Sequence, residues 1–351
     1  MIRLLSFGIL AAVLLGAAPA AGSSERAPRR TITVMTRNLY LGASLDPILH
    51  AKSTSEAFHA VEAAWTQVQA NDFPQRARAI AAEIARAKPD FVGVQELPLY
   101  RTQTPADFKS TPATAVALDY RRALLDALRA RKLPYRFVSV NVNTDAELPS
   151  GNPPSMDVRL TMRNAILMRT DRGIKLRRAR AGNFPTTYPI FGGLVVAVRG
   201  WAYVDATVGG RTFRLIDTHL EAFNRQVQEQ QSKELLTGPA ATKLPVVLVG
   251  DLNSRPDGST TASYVNLMDG GFSDTWLQAY PKSLGLTCCH GDDLREPAGP
   301  FYERIDYVLE RGGFRGMRGA VTGEGASTRT SGGLWPSDHG GLWMTLRLPG
   351  G

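Results

Sequence analysis

Cysteine and long apolar runs are both scarce in this sequence. The chain has 351 residues and only two cysteines, the neighbours Cys288 and Cys289. With His290 as the nearest histidine they make a poor zinc site. Adjacent Cα atoms lie closer together than in most disulfides, so free thiols and a vicinal bridge are both compatible with the sequence. Beyond the N-terminus no apolar run approaches the ~20 residues of a membrane-spanning helix.

Internal repeats and heptad patterns are also absent, which argues against a solenoid or a coiled coil. Hydrophobic residues make up 43% of the chain and charged residues 21%, a balance that excludes a disordered polypeptide. The length is sufficient for one large core or two small ones.

Basic residues outnumber acidic ones. The formal net charge is +9 and the isoelectric point is about 9.7, so the surface should attract polyanions. The basic residues are spread along the chain rather than clustered. Simple solubility explains the charge equally well.

The N-terminus has the three parts of a secretory signal. Arg3 precedes an apolar stretch over residues 4–16, which is followed by the small-residue sequence Ala18-Pro19-Ala20. We therefore predict a signal peptide over residues 1–21, a linker over 22–30, and an exported mature chain without a transmembrane segment. An uncleaved anchor is the alternative.

Short β-type segments outnumber helical ones in the rest of the chain. The predicted strands cover residues 31–36, 91–94, 135–142, 164–168, 194–198, 201–208, 212–216, 245–249, 305–309 and 342–346. The predicted helices cover residues 56–69, 74–87, 115–131, 226–236 and 263–268. Helices separate only some of the strands, which indicates an α+β fold with two packed sheets flanked by helices.

Three segments have less regular patterns. Residues 98–114 are predicted to be a loop, and the turn-rich residues 145–155 a long functional loop. Residues 191–196 resemble a core strand because they continue into alternating β sequence. The alternative prediction for residues 191–196 is an apolar hairpin that inserts into a bilayer.

Polar side chains recur where the predicted strands end. They include acids, amides and imidazoles, namely Asn38, Glu96, His219, Asp251, Asn253, Asp306, Asp338 and His339. Carboxylate and amide oxygens are ligands that Mg²⁺ prefers, whereas zinc would require more histidine or cysteine. The imidazoles are then available for proton transfer.

Each of these residues also has a simpler explanation. Asp251 suits a turn, Asn253 a helix cap, and His219 a hydrogen-bonded place in the core. Glu96 follows an apolar strand and Asp306 lies within one, so both need a cationic partner. The recurrence of such residues at strand ends is harder to explain by packing alone.

Ordered motifs give the chain a family resemblance. The sequence RNLYLG resembles a first-strand asparagine motif, PDFVGVQE a metal-glutamate motif, RNAILM a middle strand, DTHL a histidine motif, GDLNS an Asp-x-Asn motif, RIDYVL an aspartate motif and SDH a terminal motif. Together they resemble the endonuclease/exonuclease/phosphatase superfamily. The resemblance implies a deoxyribonuclease I-like fold, a four-layer α/β/β/α sandwich of mostly antiparallel sheets over residues 31–348.

The same resemblance implies roles for individual residues. Glu96 corresponds to the principal Mg²⁺ ligand, assisted by Asn38 and Asp338, with Mn²⁺ or Ca²⁺ as alternative ions. Catalytic roles fall to His219, Asp251, Asn253, Asp306, Asp338 and His339. Asp306 is expected to orient His339, the general acid–base, while Asp251 is the other candidate base. Asn164 or Arg163 is expected to contact a phosphate oxygen.

The implied activity is hydrolysis of a phosphodiester by a secreted, metal-dependent enzyme without a stable protein partner. Positive charge favours a nuclease, and export is equally compatible with an enzyme on phospholipid head groups, such as a sphingomyelinase-like one. An inositol phosphate phosphoesterase is a third candidate, and an inactive binding module is the alternative of another class. Added segments over residues 38–74, 98–155 and 287–290 bear on the substrate rather than the chemistry.

Overall fold

The structure is a computed structural model that describes residues 29–107, 112–297 and 299–350. Its strands are β1 Thr31–Asn38, β2 Phe91–Gln95, β3 Leu99–Gln103, β4 Ala115–Asp119, β5 Tyr135–Ser150, β6 Met156–Arg169, β7 Lys175–Asn183, β8 Tyr188–Ile190, β9 Val195–Ala197, β10 Gly200–Val208, β11 Arg211–His219, β12 Val246–Asp251, β13 Ser273–Asp274, β14 Asp306–Arg311, β15 Arg315–Thr322 and β16 Gly341–Arg347. The helices are α1 Asp46–Leu49, α2 Thr54–Ala70, α3 Phe73–Ala87, α4 Tyr120–Ala130, α5 Arg225–Thr237, α6 Ser263–Asp269 and α7 Thr275–Ala279.

The predicted signal peptide, and all of the predicted linker except Arg29 and Arg30, lie outside the described residues. Among the helices that the structure describes, none combines the length and the apolar character needed to span a bilayer.

Two large sheets form the centre of the molecule. The eight-stranded sheet runs in the order β15-β16-β1-β2-β6-β3-β4, with β5 also paired to β6. The six-stranded sheet runs β13-β14-β12-β11-β10-β7. Parallel pairing occurs between β1 and β2 and between β11 and β12, and the other pairs within these sheets are antiparallel.

Three apolar layers join these sheets to each other and to the helices. Val34 and Phe91 of the larger sheet pack against strands such as β11 and β12 of the smaller sheet, where Leu215 and Val249 lie. Helices α2, α3 and α4 cover the outer face of the larger sheet. Helices α5 and α6 cover that of the smaller one. The predicted four-layer α/β/β/α fold is confirmed.

Local sequence explains the helices that support the site. The side chain of Asp72 accepts a hydrogen bond from the backbone N–H of Gln75 and so caps α3. The apolar stripe predicted for this helix, which includes Ala77, Ile80 and Ile84, is fully buried. Burial of that stripe fixes α3 against β1, the strand that leads to Asn38.

Two predicted loops and one predicted helix are wrong in part. Residues 99–103 form β3, and residues 115–119 pair with β3 as β4 instead of beginning the helix. Residues 145–150 extend β5 along β6, so only a short turn remains of the predicted loop. Cross-strand hydrogen bonding outweighs the local preferences for turn and helix in these segments.

The segment around residues 191–196 is also different from the predicted core strand. Strands β8 and β9 form a separate two-stranded hairpin, and Gly192 and Gly193 occupy its turn with positive φ angles. Leu194 at this turn is 88% exposed. Hydrophobic sequence alone could not distinguish an internal strand from this outlying hairpin.

Candidate functional site

The predicted site residues converge because of how the strands are oriented. Asn38 ends β1 and His219 ends β11, and Asp251 ends β12 directly beside His219. Asp306 begins the antiparallel strand β14 and is the register partner of Asp251. Carboxyl ends of parallel strands and amino ends of their antiparallel neighbours lie at the same edge. His339 reaches this edge just before β16.

The backbone at Gly250 permits this arrangement. Its φ of 153° is accessible to glycine, and a Cβ atom there would lie 2.1 Å from the carbonyl oxygen of Thr218. The two parallel strands can therefore approach closely just before Asp251 only because the residue has no side chain.

Asp306 and His339 form a buried carboxylate–imidazole pair. His339 Nδ1 lies 2.8 Å from Asp306 Oδ2, and both side chains are buried. Burial alone would lower the pKa of His339, but the negative charges of Asp306, Asp338 and Asp251 raise it well above its ordinary value. The predicted contact of Asp306 with the imidazole is present. Nε2 is left to face Asp251 Oδ2 at 3.8 Å.

Asp251 lies at the centre of the cluster. Its Oδ2 accepts a hydrogen bond from Asn38 Nδ2 at 3.0 Å, and its Oδ1 accepts one from the Asn253 backbone N–H at 2.9 Å. His219 Nε2 is 3.5 Å from Oδ2. Burial and then the charge of Asp306 raise the pKa of Asp251 to about 7. Asp251 therefore lies within reach of both imidazoles.

His219 and Asn253 form the neighbouring part of the site. Asn253 Nδ2 lies 3.0 Å from His219 Nε2 and donates to the Leu220 carbonyl oxygen at 3.1 Å. Burial, followed by the nearby positive charges of Arg199 and His339, holds the pKa of His219 well below its ordinary value. His219 is thus a neutral imidazole, and Asn253 does not cap a helix as its simpler explanation supposed.

Arg199 is a candidate that sequence reasoning missed. Its Nη1 lies 3.1 Å from His219 Nδ1, and its Nε lies 3.4 Å from Glu221 Oε2. No polar cluster surrounds Arg199 in the sequence. Its position depends on the pairing of β10 with β11, which sets Gly200 opposite His219. Only knowledge of that register could have placed it in the site.

Glu96 is linked to the catalytic cluster through Asn38. Its Oε1 accepts from Asn38 Nδ2 at 3.0 Å and its Oε2 from the backbone N–H of Leu41 at 2.7 Å. Asn38 Oδ1 in turn accepts from the N–H of Tyr40. Asn38 therefore donates to both Glu96 and Asp251, and to act as a metal ligand it would have to redirect its amide oxygen.

Asp338 is the second carboxylate on the Glu96 side. Ser337 Oγ lies 3.1 Å from Asp338 Oδ1 and 2.9 Å from the carbonyl oxygen of Asn38. Burial raises the pKa of Asp338 to about 6, and the charge of Glu96 adds to the effect against the opposing charge of His339. Glu96 and Asp338 are half-buried carboxylates that repel each other, and a divalent cation held by both would relieve the repulsion. The donor set therefore fits a hard cation such as Mg²⁺.

A second cation position is possible on distance alone. The ligand atoms of Asp251, Asp306 and His339 lie within 4.8 Å of one another. Asp306 and Nδ1 of His339 already satisfy each other in this group. That hydrogen bond makes the Glu96 side the better fit.

The two predicted phosphate-contacting residues lie elsewhere. Arg163 is buried, donates to the carbonyl oxygens of Leu97 and Pro98, and pairs with Asp119 at 2.5 Å. Asn164 is fully buried, and with its side-chain amide turned over its oxygen would accept from the backbone N–H of His219 at 3.2 Å. These contacts let Arg163 hold the loop after Glu96 and Asn164 hold the end of β11.

A pocket of about 340 Å³ opens onto the cluster. Its polar end is formed by Glu96, Arg199, His219, Asp251, Asn253, Asp338 and His339. The remainder has a largely apolar wall. The site can thus accept a small ligand whose phosphate faces the buried acids and imidazoles.

The cysteine pair lies at the rim of this cluster. Cys288 and Cys289 are joined by a disulfide, and Cys288 Sγ lies 3.6 Å from His339 Nε2. Cys288 is fully buried. The loop that carries it therefore packs directly on the proposed acid–base.

Comparison with known proteins agrees with this geometry. The sequence profile of the Endonuclease/Exonuclease/phosphatase family matches residues 64–339. A search of curated proteins finds no match. Among solved structures, D. rerio TDP2 in complex with a single strand DNA product is similar with a TM-score of 0.55 and 18% identity, over 91% of this chain and 99% of that one.

Two bacterial structures are comparable. The mannosyl-6-phosphatase of Bacteroides thetaiotaomicron VPI-5482 has a TM-score of 0.55 and 15% identity, over 90% of this chain and 100% of that one. The endonuclease/exonuclease/phosphatase of Beutenbergia cavernae DSM 12333 has a TM-score of 0.56 and 21% identity, over 92% and 72%. At these identities the likeness shows the fold. The family match covers most of the chain, so the protein belongs to the endonuclease/exonuclease/phosphatase family and is a metal-dependent hydrolase of phosphate ester bonds.

Proposed function

We propose that the protein is a Mg²⁺-dependent phosphodiesterase. The observation that carries this proposal is the 2.8 Å contact between Asp306 and His339. His339 lines one pocket together with Asp251 and Glu96. One carboxylate thus orients an imidazole, and a second acid lies beside that imidazole. Proton transfer in ester hydrolysis requires such an arrangement.

His339 and Asp251 share the proton transfers. Asp306 occupies Nδ1 of His339, so Nε2 is the atom that exchanges a proton with the substrate. Nε2 lies 3.8 Å from Asp251 Oδ2, so the two groups can serve two different oxygens of one phosphate. We assign proton acceptance from the attacking water to Asp251 and proton donation to the leaving oxygen to His339.

Neutral and cationic donors stabilise the charge on the phosphorus oxygens. Arg199, His219 and Asn253 line the pocket, and Arg199 contacts His219 and Glu221 through Nη1 and Nε, which leaves N–H groups on Nη2 for a phosphate oxygen. Fixed donors in a water-poor pocket are effective because they need no reorganisation as charge develops. Arg199 takes the place that the sequence had suggested for Arg163 and Asn164.

Glu96 and Asp338 are the proposed Mg²⁺ ligands. When bound there, the cation would neutralise charge on a phosphoryl oxygen. Asn38 holds Glu96 and Asp251 at a fixed separation by donating to both. Ser337 Oγ lies 3.1 Å from Asp338 Oδ1, the other proposed ligand.

A phosphodiester suits the pocket better than a polyanion. Among the described residues that line it, Arg199 is the only lysine or arginine, whereas the acids are Asp46, Glu96, Asp251, Asp292 and Asp338. A nucleic acid requires a series of basic contacts along its backbone. A single phosphodiester carries one negative charge, which Arg199 and a bound divalent cation can balance.

The proposal is tested with bis(p-nitrophenyl) phosphate and p-nitrophenyl phosphate as diester and monoester. We expect Mg²⁺-dependent hydrolysis with a higher kcat/KM for the diester, and a loss on the order of a hundredfold or more in kcat for His339→Gln. His50→Gln, an exposed histidine outside the pocket, is the matched control. Preference for the monoester, or full activity in His339→Gln, would contradict the proposal.

Export is a separate proposal that rests on the sequence of residues 1–21. A fusion of these residues to a reporter should be cleaved and released from cells. A reporter that stays inside the cell would refute it.

A further inference from the structure

We infer that the substrate is a phosphodiester with an aliphatic chain, and that the chain occupies the apolar part of the pocket. This inference rests on the proposed function, because it places the phosphate at the cluster around Asp251. It goes beyond that function by naming an aliphatic chain as the group that is esterified to the phosphate.

The first observation is the composition of the pocket wall. Ile48, Val61, Trp65, Leu148, Leu160 and Val195 all line it together with the catalytic residues. The volume of about 340 Å³ lies in the size range of small-molecule pockets, roughly 300–1,000 Å³. One end therefore matches a phosphate and the rest matches hydrocarbon.

The second observation is the origin of this wall. It comes from helices α1 and α2, the extended ends of β5 and β6, and the β8–β9 hairpin. The helices and the β5–β6 extension are segments that the sequence marked as additions bearing on the substrate. Separate additions thus meet in one apolar surface beside the catalytic cluster.

The third observation is that the hydroxyl groups of two tyrosines that line the pocket already donate to backbone carbonyl oxygens. The hydroxyl of Tyr40 donates to the carbonyl oxygen of Asp292 at 3.0 Å, and that of Tyr100 donates to Leu41 at 2.9 Å. Both tyrosines therefore offer the pocket little but their rings. Trp65 lies against Tyr100 with the ring centroids 5.4 Å apart.

The mouth of the pocket is apolar as well. Phe223 lines the pocket and is 40% exposed, and Leu194 extends from the hairpin turn next to the lining residue Val195. A chain longer than the pocket would emerge between these groups. This arrangement favours an amphiphilic ester over a compact sugar phosphate.

The first experiment measures kcat/KM for methyl, butyl and octyl p-nitrophenyl phosphate below their micelle-forming concentrations, with thymidine 5′-p-nitrophenyl phosphate for comparison. All four release the same leaving group. We expect a rise of about fourfold per methylene until the pocket is filled, because each buried methylene contributes about 0.8 kcal/mol. The octyl ester should exceed the thymidine ester.

A second arm avoids the aromatic leaving group, which could itself enter the pocket. Methylphosphonate and octylphosphonate compete with bis(p-nitrophenyl) phosphate, and octylphosphonate should inhibit at a concentration at least tenfold lower. Leu160→Gln, which places a polar side chain in the apolar wall, should abolish this difference. Leu284→Gln, at a 74% exposed position outside the pocket, is the matched control and should change nothing.

The outcomes separate the inference from the function on which it rests. Absence of Mg²⁺-dependent hydrolysis of the methyl ester would refute the phosphodiesterase itself. Hydrolysis of all esters with equal kcat/KM and equal inhibition by both phosphonates would overturn the aliphatic substrate alone. Preference for the thymidine ester, or chain dependence only in micelles or vesicles, would overturn it too.

Discussion

Asp306 and Asp338 are two acids near His339 with different contacts. Asp306 bonds Nδ1 of the imidazole, whereas Asp338 lies on the Glu96 side and is held by Ser337. We expect Asp306→Asn to lower kcat on the order of a hundredfold without changing the Mg²⁺ concentration for half-maximal rate. Asp338→Asn should raise that concentration instead. Kinetic titrations with Mg²⁺ measure both quantities.

These two isosteric variants serve as controls for each other. The assignment of Asp306 to the imidazole and of Asp338 to the cation is wrong if Asp338→Asn lowers kcat at saturating Mg²⁺ as strongly as Asp306→Asn does. It is also wrong if Asp306→Asn recovers full activity at high Mg²⁺.

Asp217 provides a test of stability away from the chemistry. It is fully buried between the sheets and accepts a hydrogen bond from Gln95 Nε2 at 2.5 Å. Burial raises its pKa well above the ordinary value, so the folded protein keeps the proton that the unfolded chain releases near pH 4. The stabilising contribution is complete below that pH and is lost as pH rises toward the folded-state pKa.

Asp217→Asn removes this titration. The quantity of interest is the free energy of unfolding of the variant minus that of the wild type. We therefore expect this difference to be larger at pH 8 than at pH 5. Urea denaturation of both proteins at pH 5 and pH 8 measures the free energies of unfolding. Asp257→Asn, in an exposed turn, is the control. An equal difference at pH 5 and pH 8 would exclude a raised pKa for Asp217.

Individual site residues were predictable where chemistry and sequence position coincide. Asp306 within an apolar run required a partner, and the imidazole that it contacts is the one expected. Arg199 was not predictable because a lone arginine before a strand is common. Arg163 was misleading, since its motif position gives no sign that Asp119 would bind its guanidinium group.

Among the structural elements, β2 shows how closely the two sheets approach. An added Cβ at Gly93 would lie 2.4 Å from Val249 Cγ2 and 2.5 Å from Asp217 Oδ1. We expect Gly93→Ala to destabilise the protein by about 1–3 kcal/mol because the core must be overpacked. Denaturant unfolding measures this change.

Gly325→Ala is the matched control for that substitution. Its added Cβ would meet only Ser327 Oγ, at 3.9 Å, and the backbone has φ of −77°. Equal stabilities of the two variants would show that the sheets are less tightly packed at β2 than described.

Strongly patterned elements were predicted well, and weakly patterned ones were not. The alternation in β1 and the apolar stripe of α3 identify both elements and the faces they bury. Strand β7, with the sequence KLRRARAGN, lies mostly exposed and shows no apolar alternation. It exists because β10 provides hydrogen-bonding partners along its length, information that single-sequence patterns do not contain.

On the scale of the whole molecule, one exposed group of arginines lies away from the candidate site. Exposed Arg177, Arg178 and Arg180 lie on β7, outside the pocket, and the charged residues that line the pocket are mainly acidic. The net charge of +9 therefore gives no support to a polyanion at the catalytic cluster. The nuclease that the net charge favoured stays a prediction, because net charge carries no information on where the charge lies.

This distribution predicts the effect of DNA. Duplex DNA should bind the basic surface with an affinity that falls steeply with salt, and should not inhibit hydrolysis of bis(p-nitrophenyl) phosphate. Steady-state rates of bis(p-nitrophenyl) phosphate hydrolysis, measured with increasing DNA at low and moderate salt, test this prediction. Competitive inhibition by DNA would restore the nuclease hypothesis.

The four-layer arrangement was predictable from motif order, whereas the shape of the pocket was not. Its wall is assembled from α2, the β5–β6 extension and the β8–β9 hairpin, segments far apart in the chain. Two of these were expected to be a loop and a core strand. Substrate shape is therefore a property of tertiary packing that periodicity does not reveal.

The rate of bis(p-nitrophenyl) phosphate hydrolysis as a function of Mg²⁺, measured for the wild type and Glu96→Gln, tests the proposed function most directly. We expect the wild type to lose its activity in chelator and regain it with Mg²⁺. Glu96→Gln should need far more Mg²⁺ for the same rate. Hydrolysis that persists in chelator, or an unchanged Mg²⁺ requirement in Glu96→Gln, would contradict a cation held at Glu96.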